Sequence, residues 1–287
     1  MKNRALMGWA LLALLASPVA ASPASDKLRD AVRSWREANE SKLLAEYSVF
    51  AALPSIASNL ADVDRNADYL EAQLKARGFT AQQLRARPGT PASVFAERRT
   101  PGAKRNILLY AHYDGQPVNQ PGWLDPPFQP TLRTAPPTSA KVDLAAAAAI
   151  DSDWRLHGRA TADDKSTIAV TLWALDPDAA MRKAHPKLLK LNWGDGGSVA
   201  VKVALDTPAA KAVIDAITRA GSPPVQMPLM GGTTPFAEIV EALGAPMIGI
   251  AVANADDNQH AANENIRLGN LWDGIEIYAA LLADTRW

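Results

Sequence analysis

Three short stretches carry side chains whose types and spacing can do chemistry. His112-Tyr113-Asp114 puts a carboxylate two residues after an imidazole, just past the apolar run Asn106–Tyr110. In doubly wound sheets ligands collect beyond the carboxyl ends of strands. A histidine so placed can take a metal on one ring nitrogen while a neighbouring carboxylate orients the ring. Alone, the same pair serves equally as a loop hydrogen bond. Ala162-Asp163-Asp164-Lys165, preceded by Leu156-His157-Gly158-Arg159, sets two adjacent carboxylates where a helix can start. They suit a hard or borderline cation, or simply a capped helix with favourable first-turn charge. The third stretch, Asn258–Asn265 (NQHAANEN), brings His260 just after another apolar run, Met247–Ala253.

Composition narrows what these residues can serve. The 287 residues carry 30 Lys+Arg against 30 Asp+Glu, so there is no net charge to attract nucleic acid, and no basic stripe interrupts the balance. There is no cysteine, which removes disulfides, thiolate zinc sites, iron–sulfur clusters and cysteine nucleophiles. Any metal must be held by His, Asp, Glu or backbone oxygen. The chain also lacks Gly-x-Ser-x-Gly, a phosphate loop, His-Glu-x-x-His and Gly-x-Gly-x-x-Gly, so serine-hydrolase, nucleotide-binding and thermolysin-like readings have no support.

The elements that must position these residues alternate between two periods. Leu28, Val32 and Trp35, then Leu43, Leu44, Tyr47 and Phe50, recur at helical spacing. Val63, Ala67, Leu70 and Leu74 mark one face of a second helix closed by Gly78. Asn106–Tyr110 suits a buried strand, a Pro-rich loop runs from Gln116 to Pro137, and Ile168–Leu175 reads as helix. The tract Ala145–Ala149 fits helix or linker alike. Ser198–Leu205 alternates like a strand. Asp206-Thr207-Pro208 then opens a helix that runs to Gly221. Met247–Ala253 reads as strand, and Leu271, Ile275, Tyr278 and Leu282 as a final amphipathic helix. Strands alternating with helices predict an α/β fold with a mixed, largely parallel sheet flanked by helices.

The N-terminus reads as an address. Lys2 and Arg4 precede the apolar run Ala5–Ala16, and Val19 and Ala21 stand where signal peptidase needs small residues. Residues 1–21 are therefore expected to be a signal peptide, and the mature protein to be secreted or periplasmic. The apolar run is too short to span a bilayer, so no membrane anchor is expected after cleavage.

Taken together with a fourth, Gly231–Pro235 (GGTTP), the three stretches resemble one family. The order His-x-Asp, Asp-Asp-Lys, Gly-Gly-Thr-x-Pro and His-x-x-Asn-Glu-Asn is similar to that of the di-zinc exopeptidases and amidohydrolases. That family includes glutamate carboxypeptidase, carnosinase-type dipeptidases, succinyl-diaminopimelate desuccinylase and aminoacylase. The stretches that carry the likeness are Leu108–Pro117 (LLYAHYDGQP), Gly122–Pro130 (GWLDPPFQP), Leu156–Lys165 (LHGRATADDK), Gly231–Phe236 (GGTTPF) and Asn254–Leu282. The resemblance implies a zinc-exopeptidase-like fold and two zinc ions. It implies His112 as a ligand of one zinc and Asp114 as the carboxylate that orients its ring. Asp163 would bridge both metals and be joined to Asp164 by a cis peptide, and His260 would be a ligand of the other zinc. Gly231, Gly232 and Thr233 would line the substrate pocket, and His157 would be a packing residue.

One part of the family's pattern is absent. A pair of adjacent glutamates, the first a general base and the second a zinc ligand, should follow the Asp-Asp-Lys by some thirty residues. A further acidic ligand and an inserted lid domain should come next. Between Glu97 and Glu238 there is no glutamate at all. The first part of the catalytic domain is thus read as residues 22–175, a junction with a lid remnant as 176–197, and the second part of the catalytic domain as 198–287, with the lid mostly absent. Each zinc would keep one histidine and a share of Asp163, an incomplete set for a catalytic metal, and the general base is missing. Asp176, Asp178, His185 and Asp195 stand near enough in sequence to substitute, yet are as readily turn residues. The expectation is an exported zinc-dependent hydrolase of amide bonds in dipeptides, short peptides or N-acyl amino acids. The other reading is a truncated, non-catalytic homologue with a residual metal or peptide site. Loss of the lid, through which the family pairs, favours a monomer.

Overall fold

A computed structural model describes residues 23–99, 107–176, 189–192, 203–221, 223–227 and 236–284. The signal-peptide reading, the Gly231–Thr233 loop, and Asp178, His185 and Asp195 lie outside these residues. Among the described residues no helix is long and apolar enough to cross a membrane.

The two N-terminal helical patterns join into one helix, α1 (Pro23–Ala52). Its inner face is the run Leu43, Leu44, Tyr47, Phe50 and Ala51, all buried. Helix α2 (Leu60–Ala76) begins where the Asn59 side chain accepts the Asp62 backbone N–H. It ends at Gly78, whose φ of 80° needs a residue without a Cβ. Val63, Ala67, Leu70 and Leu74 form its buried face as their spacing predicts.

Strand β1 (Thr80–Leu84) pairs antiparallel with β2 (Ser93–Arg98). Strand β3 (Leu108–Leu109) lies within the predicted run Asn106–Tyr110. β4 (Thr131–Arg133) and β5 (Arg155–His157) lead to helix α3 (Lys165–Ala174). β6 (Leu189–Asn192) comes from the junction and lies between β2, antiparallel, and β3, parallel. Helix α4 (Pro208–Ala220) starts on the Thr207 cap with Pro208 in its first turn. Helix α5 (Phe236–Leu243), strand β7 (Asn265–Arg267) and helix α6 (Leu268–Asp284) complete the order.

The result is a mixed α/β fold with a four-stranded sheet, β1-β2-β6-β3, and a three-stranded sheet, β4-β5-β7. Among the described strands β3 and β6 pair in parallel, and an isolated parallel bridge joins Ile56 to Gly115. Met247–Ala253, read as a strand, joins neither sheet. An apolar run becomes a strand only where another strand accepts its backbone, and no described segment does so here.

One core holds α1, α2, α3 and α6 together, and α4 packs against α6 through a second, smaller cluster of Val213, Ala216, Ile217 and Leu281. Trp173 on α3 meets Tyr47 of α1 edge-on at 5.9 Å and lies 6.5 Å from Trp272 of α6. Phe50 stacks on Tyr69 of α2 at 4.9 Å. At the far end of α1, Arg33 grips the buried Glu276 of α6 with hydrogen bonds of 3.0 and 2.7 Å. The small sheet matters for position. The register His157↔Asn265 brings the Gly158–Lys165 turn beside the His260–Glu264 loop.

Candidate metal centre

The site forms where three loops meet. His112 follows β3, Asp163 precedes α3, and His260 lies in the loop before β7. The imidazole Nε2 of His112 is 3.0 Å from Asp163 Oδ1, and Nε2 of His260 is 2.7 Å from Asp163 Oδ2. One carboxylate thus meets a histidine on each oxygen. The other ring nitrogen of His112 is 3.2 Å from Asp114 Oδ1 and 3.3 Å from the Asp114 carbonyl oxygen. That contact fixes which way the ring faces. The peptide between Asp163 and Asp164 is cis. Asp164 is turned inward, where Oδ2 accepts the His112 backbone N–H at 3.3 Å.

Charge follows from this geometry. Burial pulls the His112 imidazole down, but its bonds to Asp114 and Asp163, with the charge of Asp164, outweigh it and hold the pKa at about 11. Burial raises the Asp163 carboxyl, yet the two histidines bring it below its ordinary value. Asp164, partly buried, is pushed up to about 6 by desolvation. The loop carrying His260 has three residues in the left-handed region, Asn258, His260 and Asn263, with φ of 55°, 62° and 60°. Asparagine and histidine both adopt that conformation more readily than most residues, and ties to neighbouring segments hold the loop in place. Asn263 supplies two of them, donating to the Gly122 carbonyl at 2.8 Å and accepting from the Leu124 N–H at 3.0 Å.

Behind the histidines lies a shell of buried charge to which the sequence reading gave no role. Arg159 and Glu264 are each only 1% exposed and pair at 2.8 Å. The other Glu264 oxygen accepts the backbone N–H groups of Ala162 and Asp163 at 2.9 and 3.1 Å. Burial raises the Glu264 carboxyl, and those two N–H groups and Arg159 pull in the opposite direction. The Arg159 guanidinium also lies over the Trp123 ring, 5.1 Å from its centroid. Lys165 is wholly buried and donates to the carbonyls of Phe50 and Leu53 at 2.9 and 2.6 Å, which ties the start of α3 to the end of α1. Burial brings its pKa down to about 7. All three residues stand inside the motif blocks, but nothing in the sequence pairs positions 105 apart. His157 is buried against the Ala135 carbonyl, as a packing residue should be.

As a cation holder, the cluster offers one nitrogen and one oxygen on either side of Asp163. Donor types and the shared carboxylate fit a zinc pair; the number of donors does not. A catalytic zinc takes three protein ligands, and among the described residues no group of three or more His, Asp or Glu is arranged to hold one ion. Asp176, a possible substitute, is turned away. Arg77 binds it with two hydrogen bonds of 2.7 and 2.8 Å.

Comparison with known proteins assigns the scaffold. Residues 187–284 match the sequence profile of Peptidase family M20/M25/M40. The match covers about a third of the chain, and over it this chain is similar to that family. A search of curated proteins finds no match. Among solved structures, an M20 family metallo-carboxypeptidase, Sso-CP2, from Sulfolobus solfataricus superposes with a TM-score of 0.67 at 14% identity, over 84% of this chain and 98% of that one. Human carnosine dipeptidase 1 gives 0.69 at 11% identity over 89% and 98%. The di-peptidase Dug1p from Saccharomyces cerevisiae gives 0.67 at 11% over 88% and 98%. At such identities the likeness is one of fold, and the M20 catalytic-domain scaffold is the fold observed.

Proposed function

We propose that the cluster of His112, Asp163 and His260 is a metal site of the M20 type. The chain then belongs, by chemistry, with metal-dependent hydrolases of amide bonds in dipeptides, short peptides or N-acyl amino acids. The single observation that carries this reading is the division of Asp163, with one histidine on each carboxylate oxygen at 3.0 and 2.7 Å. A metal pair, if held by these residues, would supply Lewis-acid polarisation of an amide carbonyl and a bound water of lowered pKa. The chain's own contribution is to orient His112 through Asp114 and to present Asp163 from the mouth of α3. Gly231, Gly232 and Thr233 are proposed to line the substrate pocket. The described donors are two per metal, and no glutamate stands between Glu97 and Glu238 to act as the base.

That shortfall is a specific observation in favour of a second reading, a non-catalytic M20 homologue that keeps a metal or peptide site. One experiment separates the two. The purified chain is measured for zinc content and assayed with zinc on a dipeptide and N-acyl amino acid panel. Two zincs and turnover abolished by His112→Ala and by Asp163→Asn support the hydrolase. A folded chain with one loose zinc or none, and no turnover, supports the homologue. Residues 1–21 are proposed to direct export to the periplasm or beyond, and the mature chain is proposed to be monomeric.

A further inference from the structure

We propose that Glu264 is a positioning residue for this site: clamped by Arg159, its carboxylate fixes the backbone of Asp163 and so sets the reach of Asp163 to His260. The proposal rests on the metal reading above for its consequence, although not for its geometry.

Two loops run side by side with the same spacing. Arg159 stands four residues before Asp163, and Glu264 four residues after His260. Two contacts between charged or ionisable side chains link the loops, His260 with Asp163 at 2.7 Å and Arg159 with Glu264 at 2.8 Å. These links are not equal. The His260 side chain is 61% exposed, whereas Arg159 and Glu264 are each 1% exposed. An exposed ion pair contributes little and does not hold a geometry by itself. A buried one is rigid because breaking it strands a charge in a dry interior. The inner link therefore sets the spacing that the outer one displays.

Glu264 does this through the main chain. One oxygen takes Arg159, and the other takes the N–H groups of Ala162 and Asp163 at 2.9 and 3.1 Å. The Glu264 carbonyl also accepts the Gly158 N–H at 2.9 Å. The peptide that carries Asp163 is thus registered against the loop that carries His260. The competing tether is Asn263, which ties the same loop to Gly122 and Leu124.

The test uses the full chain and three variants. Arg159→Met with Glu264→Gln removes both charges and keeps an acceptor for the two N–H groups. Arg159→Met with Glu264→Leu removes the charges and the acceptor. Glu264→Asp keeps the ion pair's charges but draws the oxygens back by one methylene, and so guards against misfolding of the second variant. Each is followed by long-range proton–nitrogen spectra of the histidine rings in metal-free protein, and by zinc titration. The Gln variant should keep the wild-type His260 ring signature and zinc affinity. The Leu and Asp variants should lose that signature and weaken zinc about tenfold to a hundredfold, as for other groups that orient metal ligands. A cooperatively folded Glu264→Asp chain with wild-type ring signals and zinc affinity would overturn the proposal and leave the loop to Asn263. Should the wild-type chain take no zinc, the metal reading fails, and the ring signals of the metal-free variants still decide the role of Glu264.

Discussion

Arg77, the residue that ends α2, holds Asp176, the second residue past α3, by two nearly parallel hydrogen bonds of 2.7 and 2.8 Å. Both side chains are largely buried, and Gln73 adds an acceptor 2.6 Å from the same guanidinium. This bidentate geometry is the strong form of the arginine–carboxylate contact. It commits Asp176 to joining two helices. Asp176→Asn should therefore leave zinc content unchanged and lower stability by about 1–3 kcal/mol, the usual cost of losing hydrogen bonds to a charged group. Urea denaturation alongside metal analysis reads both. Loss of zinc in this variant would place Asp176 in the site after all.

Asp163 is shared, and the two histidines are not. Calorimetric zinc titration of single variants should show that asymmetry. Asp163→Asn weakens binding at every zinc position, while His112→Ala and His260→Ala each weaken one and spare the other. Equal losses in all three would point to a single ion held by the whole cluster.

On the proposed metal reading, zinc would compete with a proton on His112. In the metal-free site that imidazole titrates at about 11, so at neutral pH it is protonated and zinc must displace the proton. Apparent zinc affinity should rise about tenfold per pH unit through the neutral range, with one proton released from this residue. Binding enthalpies in buffers of different ionisation heat count that proton. His112→Ala should abolish its release.

Lys165 gives stability the opposite dependence from His112. Its folded pKa of about 7 lies below the ordinary 10.5. As pH falls from 10.5 the unfolded chain takes up this proton first, and stability is lost until the folded lysine is protonated near 7. His112, raised to about 11, loses its contribution as pH climbs from 6.5 toward that value. The two partly cancel in the wild type. The comparison of wild type with Lys165→Met isolates the lysine: wild type should gain on the variant between about pH 7 and 10.5 and hold a constant difference below. A difference that shrinks with rising pH would contradict the buried, neutral-leaning amine.

Much of this was legible in the residues. Val63 to Leu74, Ile168 to Leu175 and Leu271 to Leu282 announce helices because their apolar spacing is also their packing, and each helix forms. His112, Asp163 and His260 could be grouped from the order of their motifs, and they do converge. The hairpin of β1 and β2 was not visible, since Thr-Ala-Gln-Gln-Leu has no apolar run and gains its strand character from Val94 and Ala96 opposite. Met247–Ala253 fails for the converse reason: its composition suits a strand, while pairing is supplied by neighbours it does not encode. The Arg159–Glu264 clamp and the burial of Lys165 are long-range facts. Local pattern marks such charges as surface, and only the assembled interior shows where they go.

The links that close the centre join residues 97 and 105 positions apart, and both depend on the loop that contains His260 and Glu264. A nascent chain halted on the ribosome before that loop has His112 and Asp163 but neither partner from the far side. Asp163 would then stand without its backbone clamp and with one imidazole instead of two. Closure of the centre is therefore a late event in the life of each molecule, set by the arrival of the last loop and helix and not by the side chains translated first.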